Sequence, residues 1–281
     1  MKACNTLILS LVVATLASCA GAPNLQSRLE AAHKQSSSKF HEIILETSQF
    51  DLFLLASPVT SDASLTIFIE GDGYAWQSRS RPSNDPTPIT QTVLALATEQ
   101  TSGNVAYLAR PCQFVGANSR NCHVSLWTNA RYSEPVVASL NEAISYLLAR
   151  QPTLTLRLIG YSGGGTLAAL LAARRTDVSA LVTIAAPLDI DAFTAHHGVT
   201  PLSASLNPRD YAAALAAIPQ VHIVGDEDNV IPEKIALSYL EALPTKRCAQ
   251  IHVVPNATHW TGWHAMRPQA GNIVVECGNT P

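Results

Sequence analysis

Apolar and polar positions along this chain fall into short blocks that alternate between two periods. Compact apolar or β-branched runs predict strands buried on both faces: Leu65–Ile69, Asn104–Leu108, Leu154–Ile159, Ala180–Ala186, Val221–Val224 and Gln250–Val254. Between them lie stretches whose apolar residues recur at helical spacing: Ile89–Gln100, Ser133–Arg150, Leu167–Arg175 and Glu233–Leu243. In the second of these, Ser133 reads as an N-cap, with Glu134 and Pro135 in the first turn and Val136, Val137, Leu140, Ile144, Leu147 and Leu148 near one face. Pro232 opens the last one. Two earlier runs, Phe40–Leu45 and Phe50–Ala56, are joined by a short polar turn and predict an antiparallel pair at a sheet edge. Residues 189–218 carry two weak helical patterns and are a candidate small cap.

From residue 65 to residue 260 strand and helix alternate regularly. That order predicts right-handed βαβ units: an α/β fold with a mostly parallel central sheet, antiparallel N-terminal strands and helices on both faces. No internal repeat or second domain is evident. Sheets of this kind bind ligands beyond the carboxyl ends of their strands. In this chain those ends hold Glu70-Gly71-Asp72-Gly73, Arg110, Gly160–Gly165, Gly225–Pro232 and Asn256–Trp260. Pro82–Pro88, in the polar loop beyond Trp76, reads as a mobile rim. Trp127, Arg131 and Tyr132 are expected to brace the start of the Ser133 helix.

The most informative stretch is Leu156–Leu167. An apolar run stops at Gly160, Ser162 follows, and three glycines lead into a helix-prone segment. Gly160, Ser162 and Gly164 match G-x-S-x-G, in which a strained turn lifts a serine hydroxyl above the sheet while small neighbours let strand and helix approach closely. Gly163 would open the helix, directing its N–H and the helix dipole at whatever occupies the serine. A second reading is open at this point, since Gly163, Gly165 and Ala168 also fit a degenerate dinucleotide fingerprint, G-x-G-x-x-A.

Composition narrows the choice. The chain has 281 residues, 47% hydrophobic and only 14% charged, with a net charge of −3, and no basic stripe. One sizeable core is expected, and nucleic acid is not an expected partner. Lys2 and the apolar run Leu7–Ala17 form an export signal, too short to span a bilayer as a mature helix. Leu16-Ala17-Ser18-Cys19 resembles the lipobox of bacterial lipoproteins. That resemblance implies cleavage of residues 1–18, lipid on Cys19, and a globular protein anchored to the envelope on the periplasmic side of an outer membrane if the host has one. Cleavage removes Lys2 and moves the net charge from −3 to −4. Residues 19–38 then read as a polar tether and residues 39–281 as the domain. Four further cysteines remain, and export predicts disulfides. Of the three pairings, Cys112–Cys122, closing a polar loop, and Cys248–Cys277, tying the tail to a strand, are favoured. No metal site is expected, because adjacent His196 and His197 make a poor ligand pair and no C-x-x-C occurs.

Taken in chain order, Ser162, Asp228 and His259 resemble the catalytic series of the α/β-hydrolase fold. Gly225–Pro232 is similar to that superfamily's acid loop, G-x-x-D-x-x-V/I-P, with Asp226 a competing acid two residues from Asp228. The resemblance implies Ser162 as nucleophile, His259 as base and Asp228 as the acid that orients it. It implies an oxyanion hole from the Gly163 N–H and an N–H of the loop after the third strand. Superfamily members often read His-Gly there, whereas this chain reads Glu70-Gly71-Asp72-Gly73, which puts the Asp72 N–H in that place. Arg110 is expected to pair with Asp72 or Glu70 and neutralise the loop. Gly71, Gly73, Tyr161, Trp76 and Trp260 are expected to line the substrate pocket. The implied activity is serine hydrolysis of an ester, thioester or amide through an acyl-enzyme, of carboxylesterase or lipase type, by a monomer that needs no cofactor. The alternative is a catalytically silent envelope lipoprotein on the same fold.

Overall fold

The computed structural model describes residues 22–36, 39–101, 103–150, 155–263, 273, 277 and 278. The signal at residues 1–18 and the expected lipid site Cys19 lie outside them. Among the described residues no helix is long and apolar enough to cross a membrane.

Eight strands form one sheet: β1 (His41–Glu46), β2 (Asp51–Ala56), β3 (Ser64–Ile69), β6 (Asn104–Leu108), β7 (Thr155–Tyr161), β8 (Val178–Ile184), β9 (Gln220–Gly225) and β10 (Ala249–Val254). A separate small hairpin, β4 (Trp76–Ser78) with β5 (Arg81–Pro82), stands in the loop after β3. The main sheet runs β1-β2-β6-β3-β7-β8-β9-β10. β1 pairs antiparallel with β2, and β2 antiparallel with β6; every other pairing is parallel. The α/β architecture read from the sequence is therefore the observed one, antiparallel N-terminal edge included.

Helices cover both faces. α3 (Glu134–Leu148), α4 (Gly163–Ala172), α6 (Ala212–Leu215) and α7 (Glu233–Ala242) lie over one face, where Leu52, Leu54, Ile67, Leu158 and Leu181 point. α1 (Leu25–Ser36) and α2 (Thr92–Glu99) cover the other, meeting Phe53, Leu55, Phe68, Tyr107 and Ile159. Alternate residues of each strand thus feed two cores, which is why the central strands read as unbroken apolar runs.

Four expectations are corrected. The polar segment 19–38 is not a tether throughout: residues 25–36 form α1, which buries Arg28, Ala32 and Ser36 at spacings of four. Its polar surface hid that face. Pro82–Pro88 is not a free rim, because Arg28 pairs with Asp85 at 2.8 Å and donates to the Thr87 carbonyl. The candidate cap does not stand apart. Its helix α5 (Ile190–His197) and α6 share the α3/α4 core through Leu188, Ile190, Ala212 and Leu215. Ser133 occupies the N-cap position of α3, but its hydroxyl makes no capping bond.

Candidate active site

β7 delivers the chain into a sharp turn at Ser162, whose φ of 52° and ψ of −128° are strained for any residue with a side chain. Neighbouring glycines make the turn possible. A Cβ on Gly160 would lie 2.2 Å from the Gly164 carbonyl oxygen, and one on Gly164 would lie 2.2 Å from the Ile69 carbonyl oxygen. Strand, helix and β3 therefore approach more closely than a residue with a Cβ would allow. α4 begins at Gly163.

Two other loops bring their side chains to the serine. Ser162 Oγ lies 3.1 Å from His259 Nε2, and His259 Nδ1 lies 2.9 Å from Asp228 Oδ2. Asp228 is buried after β9, and its second oxygen accepts the N–H groups of Val230 at 2.8 Å and Ile231 at 2.7 Å. Those bonds leave Oδ2 for the imidazole. Asp226 is exposed, and it is Asp228 that meets His259. His259 is buried too. Its carbonyl accepts from the Tyr161 hydroxyl and, at 3.1 Å, from Trp263 Nε1, so two aromatic side chains fix the backbone that carries the imidazole.

The remaining predicted residues divide. Gly71 lies against Ser162; a Cβ there would be 3.5 Å from Ser162 Cβ. Gly73 does not line this space. Its φ of 65° turns the loop, and its closest neighbours are Pro86 O and Gln113 Nε2. Tyr161 is buried, and its hydroxyl donates to the His259 carbonyl, which braces that backbone. Trp260 is 69% exposed and stands perpendicular to the His259 ring at 4.7 Å. Trp76 is 40% exposed on the hairpin β4–β5. Cys112–Cys122 and Cys248–Cys277 are the disulfides present, as favoured.

The loop after β3 carries strong charge. Asp72 pairs with Arg110, and with Arg131 Nη1 at 2.7 Å. Burial would raise its pKa, but Arg131 and Arg110 outweigh that and hold the carboxyl down at about 2. Glu70 is buried as well, and burial dominates there, pushing its carboxyl up to about 7 against the Gly71 N–H, the Tyr107 hydroxyl and the Arg110 charge. Arg110 therefore takes Asp72 as its ion-pair partner. Sequence reasoning placed Arg131 and Tyr132 only as braces of α3 and missed their reach to Asp72; no local motif signals that contact. Neither the Gly163 N–H nor the Asp72 N–H bonds to another group among the described residues.

A family model described as serine hydrolase (FSH1) matches residues 95–263, which include Ser162, Asp228 and His259. The chain belongs to the FSH1 serine hydrolases. No curated protein sequence matches it. Among solved structures, this FSH1 hydrolase is similar to an α/β serine hydrolase homologue from Coxiella burnetii, with TM-score 0.57 and 14% identity over 83% of this chain and 94% of that one. An esterase of Pyrococcus furiosus gives 0.60 and 14% over 85% and 92%. A Xanthomonas campestris α/β serine hydrolase described as lacking a lid gives 0.52 and 16% over 84% and 93%. At such identities the likeness concerns the fold.

Proposed function

We propose that this FSH1 hydrolase cleaves a carboxylic ester, small or lipid, through an acyl-enzyme on Ser162. The observation that supports this most is the unbroken line of hydrogen bonds from Ser162 Oγ through His259 to Asp228. A serine hydroxyl is almost wholly protonated at neutral pH and needs an adjacent base to attack a carbonyl. His259 Nε2 takes that proton as Oγ bonds to the acyl carbon. Asp228, on Nδ1, holds the productive tautomer and stabilises the imidazolium. The tetrahedral oxyanion is received by the Gly163 and Asp72 N–H groups, neither of which has a partner among the described residues. His259 returns the proton to the leaving alkoxide. Water, activated by the same imidazole, then releases the acid and restores Ser162. The exposed Trp260 ring beside His259 forms one wall of the approach. Thioesters and amides would follow the same path with a different leaving atom.

A fluorophosphonate probe and a series of p-nitrophenyl esters of rising acyl length test the reading. Wild-type protein is expected to label at Ser162 and turn over at least one ester, while Ser162→Ala does neither. A wild type that takes no label and hydrolyses no ester or amide would instead favour the silent binding lipoprotein.

We also infer that the enzyme works at the envelope, held by lipid on Cys19; the Leu16–Cys19 motif supports this. Palmitate incorporation into wild type but not into Cys19→Ser checks it, and equal incorporation in both would overturn it.

A further inference from the structure

The reaction above uses the Asp72 N–H but leaves the charged side chains of the loop after β3 without a task, and their geometry carries a further step. The backbone on either side of the Gly71–Asp72 peptide is held at three points. The Gly71 N–H donates to Glu70 Oε1 at 2.8 Å, and the Gly71 carbonyl accepts from Gln113 Nε2 at 3.0 Å. The Asp72 carboxylate is enclosed by Arg110, Arg131 and Tyr132. Within one trans peptide the C=O and the next N–H point in opposite directions. Fixing the Gly71 oxygen on Gln113 therefore turns the Asp72 N–H away from Gln113, on a loop that lies against Ser162.

The carboxylate itself occupies an awkward place. A Cβ on Gly163 would sit 2.1 Å from Asp72 Oδ1 and 2.8 Å from Arg110 Nη1, so both charges rest on the residue that supplies the other oxyanion donor. An unopposed carboxylate there would repel the negative charge of the tetrahedral intermediate. Two guanidinium groups oppose it. Arg110 Nη2 donates to the Arg131 carbonyl at 2.7 Å, and Arg131 Nη1 donates back to Asp72 Oδ2 at 2.7 Å, which closes a ring of contacts. Arg131 Nε is spent on the Thr128 carbonyl at 2.6 Å. The Tyr132 hydroxyl lies 3.3 and 3.4 Å from the two Asp72 oxygens, and its ring lies 5.4 Å beneath the Arg110 guanidinium. Both arginines are buried.

We propose that Arg131, with Arg110 and Tyr132, is a positioning residue: it holds Asp72 so that the Asp72 N–H serves the oxyanion, and it offsets the carboxylate that stands beside that charge. The proposal rests on Ser162 being the nucleophile. It predicts an effect on the transition state and not on ground-state binding, because an oxyanion donor acts only once charge has developed.

The test compares wild type, Arg131→Gln, Arg131→Lys, Asp72→Asn and the Arg131→Gln/Asp72→Asn double variant, each normalised to sites titrated with a fluorophosphonate. Arg131→Gln is expected to lower kcat about 10- to 100-fold with KM within about threefold, and to weaken inhibition by a trifluoromethyl ketone by a similar factor. Arg131→Lys keeps a cation near Asp72 and should recover part of the loss. In Arg131→Gln the Asp72 carboxylate keeps Arg110 alone to oppose it; adding Asp72→Asn removes that under-compensated charge and should raise kcat above that of Arg131→Gln alone. A purely structural contact would lower the thermal midpoint and the titratable fraction while leaving kcat per titrated site unchanged. An Arg131→Gln kcat within about twofold of wild type would overturn the proposal. If Arg131→Gln yields no folded protein, the Arg131→Lys and Asp72→Asn kinetics decide, and unchanged kcat in both would likewise overturn it. Wild type that takes no label defeats the reading of the site; wild type that labels, with indifferent variants, defeats only the role of the cluster.

Discussion

Glu70 sits one residue before the loop that faces Ser162, and its protonation carries a stability cost with a definite sign. Its carboxyl titrates at about 7 in the folded protein against an ordinary 4.5, because burial outweighs the Gly71 N–H, the Tyr107 hydroxyl and Arg110. Between those values the unfolded chain has lost the proton while the folded one keeps it, so folding becomes less favourable as pH rises through the window and levels off above it. Glu70→Gln retains an acceptor for Gly71 and a partner for Tyr107 without the charge. In urea denaturation its unfolding free energy should match wild type near pH 4.5 and exceed it at pH 8, by on the order of 2–3 kcal/mol. A difference that stayed constant across that range would contradict the burial argument. The same residue shows where sequence reading stops. Ser162, Asp228 and His259 were legible because each lies in a short loop whose neighbours are dictated locally: glycines at the elbow, Ile231-Pro232 after the acid. Arg131, Tyr132 and Gln113 were not, because their partners lie about 40 to 60 residues away in sequence and only the assembled sheet brings them together.

At the scale of elements, period and punctuation carried most of the information. The β-branched runs became β3, β6, β7, β8, β9 and β10, and the helical stretches became α2, α3, α4 and α7 within a few residues of their expected limits. Two of the failures share a cause. α1 has a polar composition with only every fourth residue turned inward, so its pattern reads as a spacer until α2 and the 83–91 loop are present to receive Arg28. Pro82–Pro88 reads as a mobile rim for the same reason: proline and polar residues mark a turn, yet buried Ser83 and Thr87 are held by groups from elsewhere, Trp127 Nε1 on the Ser83 carbonyl at 3.0 Å and the Phe114 N–H on the Thr87 hydroxyl at 2.8 Å. These two elements are coupled. Arg28 fixes the segment that supplies the Pro86 carbonyl to the Tyr74 N–H at 3.0 Å, and Tyr74 follows directly on the Asp72–Gly73 turn. α1 therefore supports the Asp72 loop from behind, although nothing in its own sequence points there.

For the molecule as a whole, the two disulfides act on different parts of the same scaffold. Cys112–Cys122 closes a short loop next to Arg110 and Gln113. Cys248–Cys277 spans 29 residues, which include β10 and the His259 loop, and ties the tail to the edge of the sheet. The described tail residues make two further contacts, the Gly278 N–H to the Arg247 carbonyl at 2.8 Å beside β10, and the Ile273 carbonyl to Arg157 Nη2 of the interior strand β7 at 2.7 Å. Closing a loop of that length restricts the unfolded chain by about 3–4 kcal/mol on the chain-entropy account. At roughly 2–4 °C per kcal/mol for a chain of this size, a Cys248→Ser/Cys277→Ser variant should melt about 10 °C below wild type. His259 is held by Asp228, Tyr161 and Trp263, none of which belongs to the tail, so the rate of Ser162 labelling at 25 °C should stay within about twofold. A reductant would not separate the two effects, since it opens both bridges; the paired substitution does. A large fall in labelling rate at an unchanged melting temperature would mean that the tail positions His259 directly, and would move Cys248–Cys277 from the stability of the scaffold into the organisation of the site.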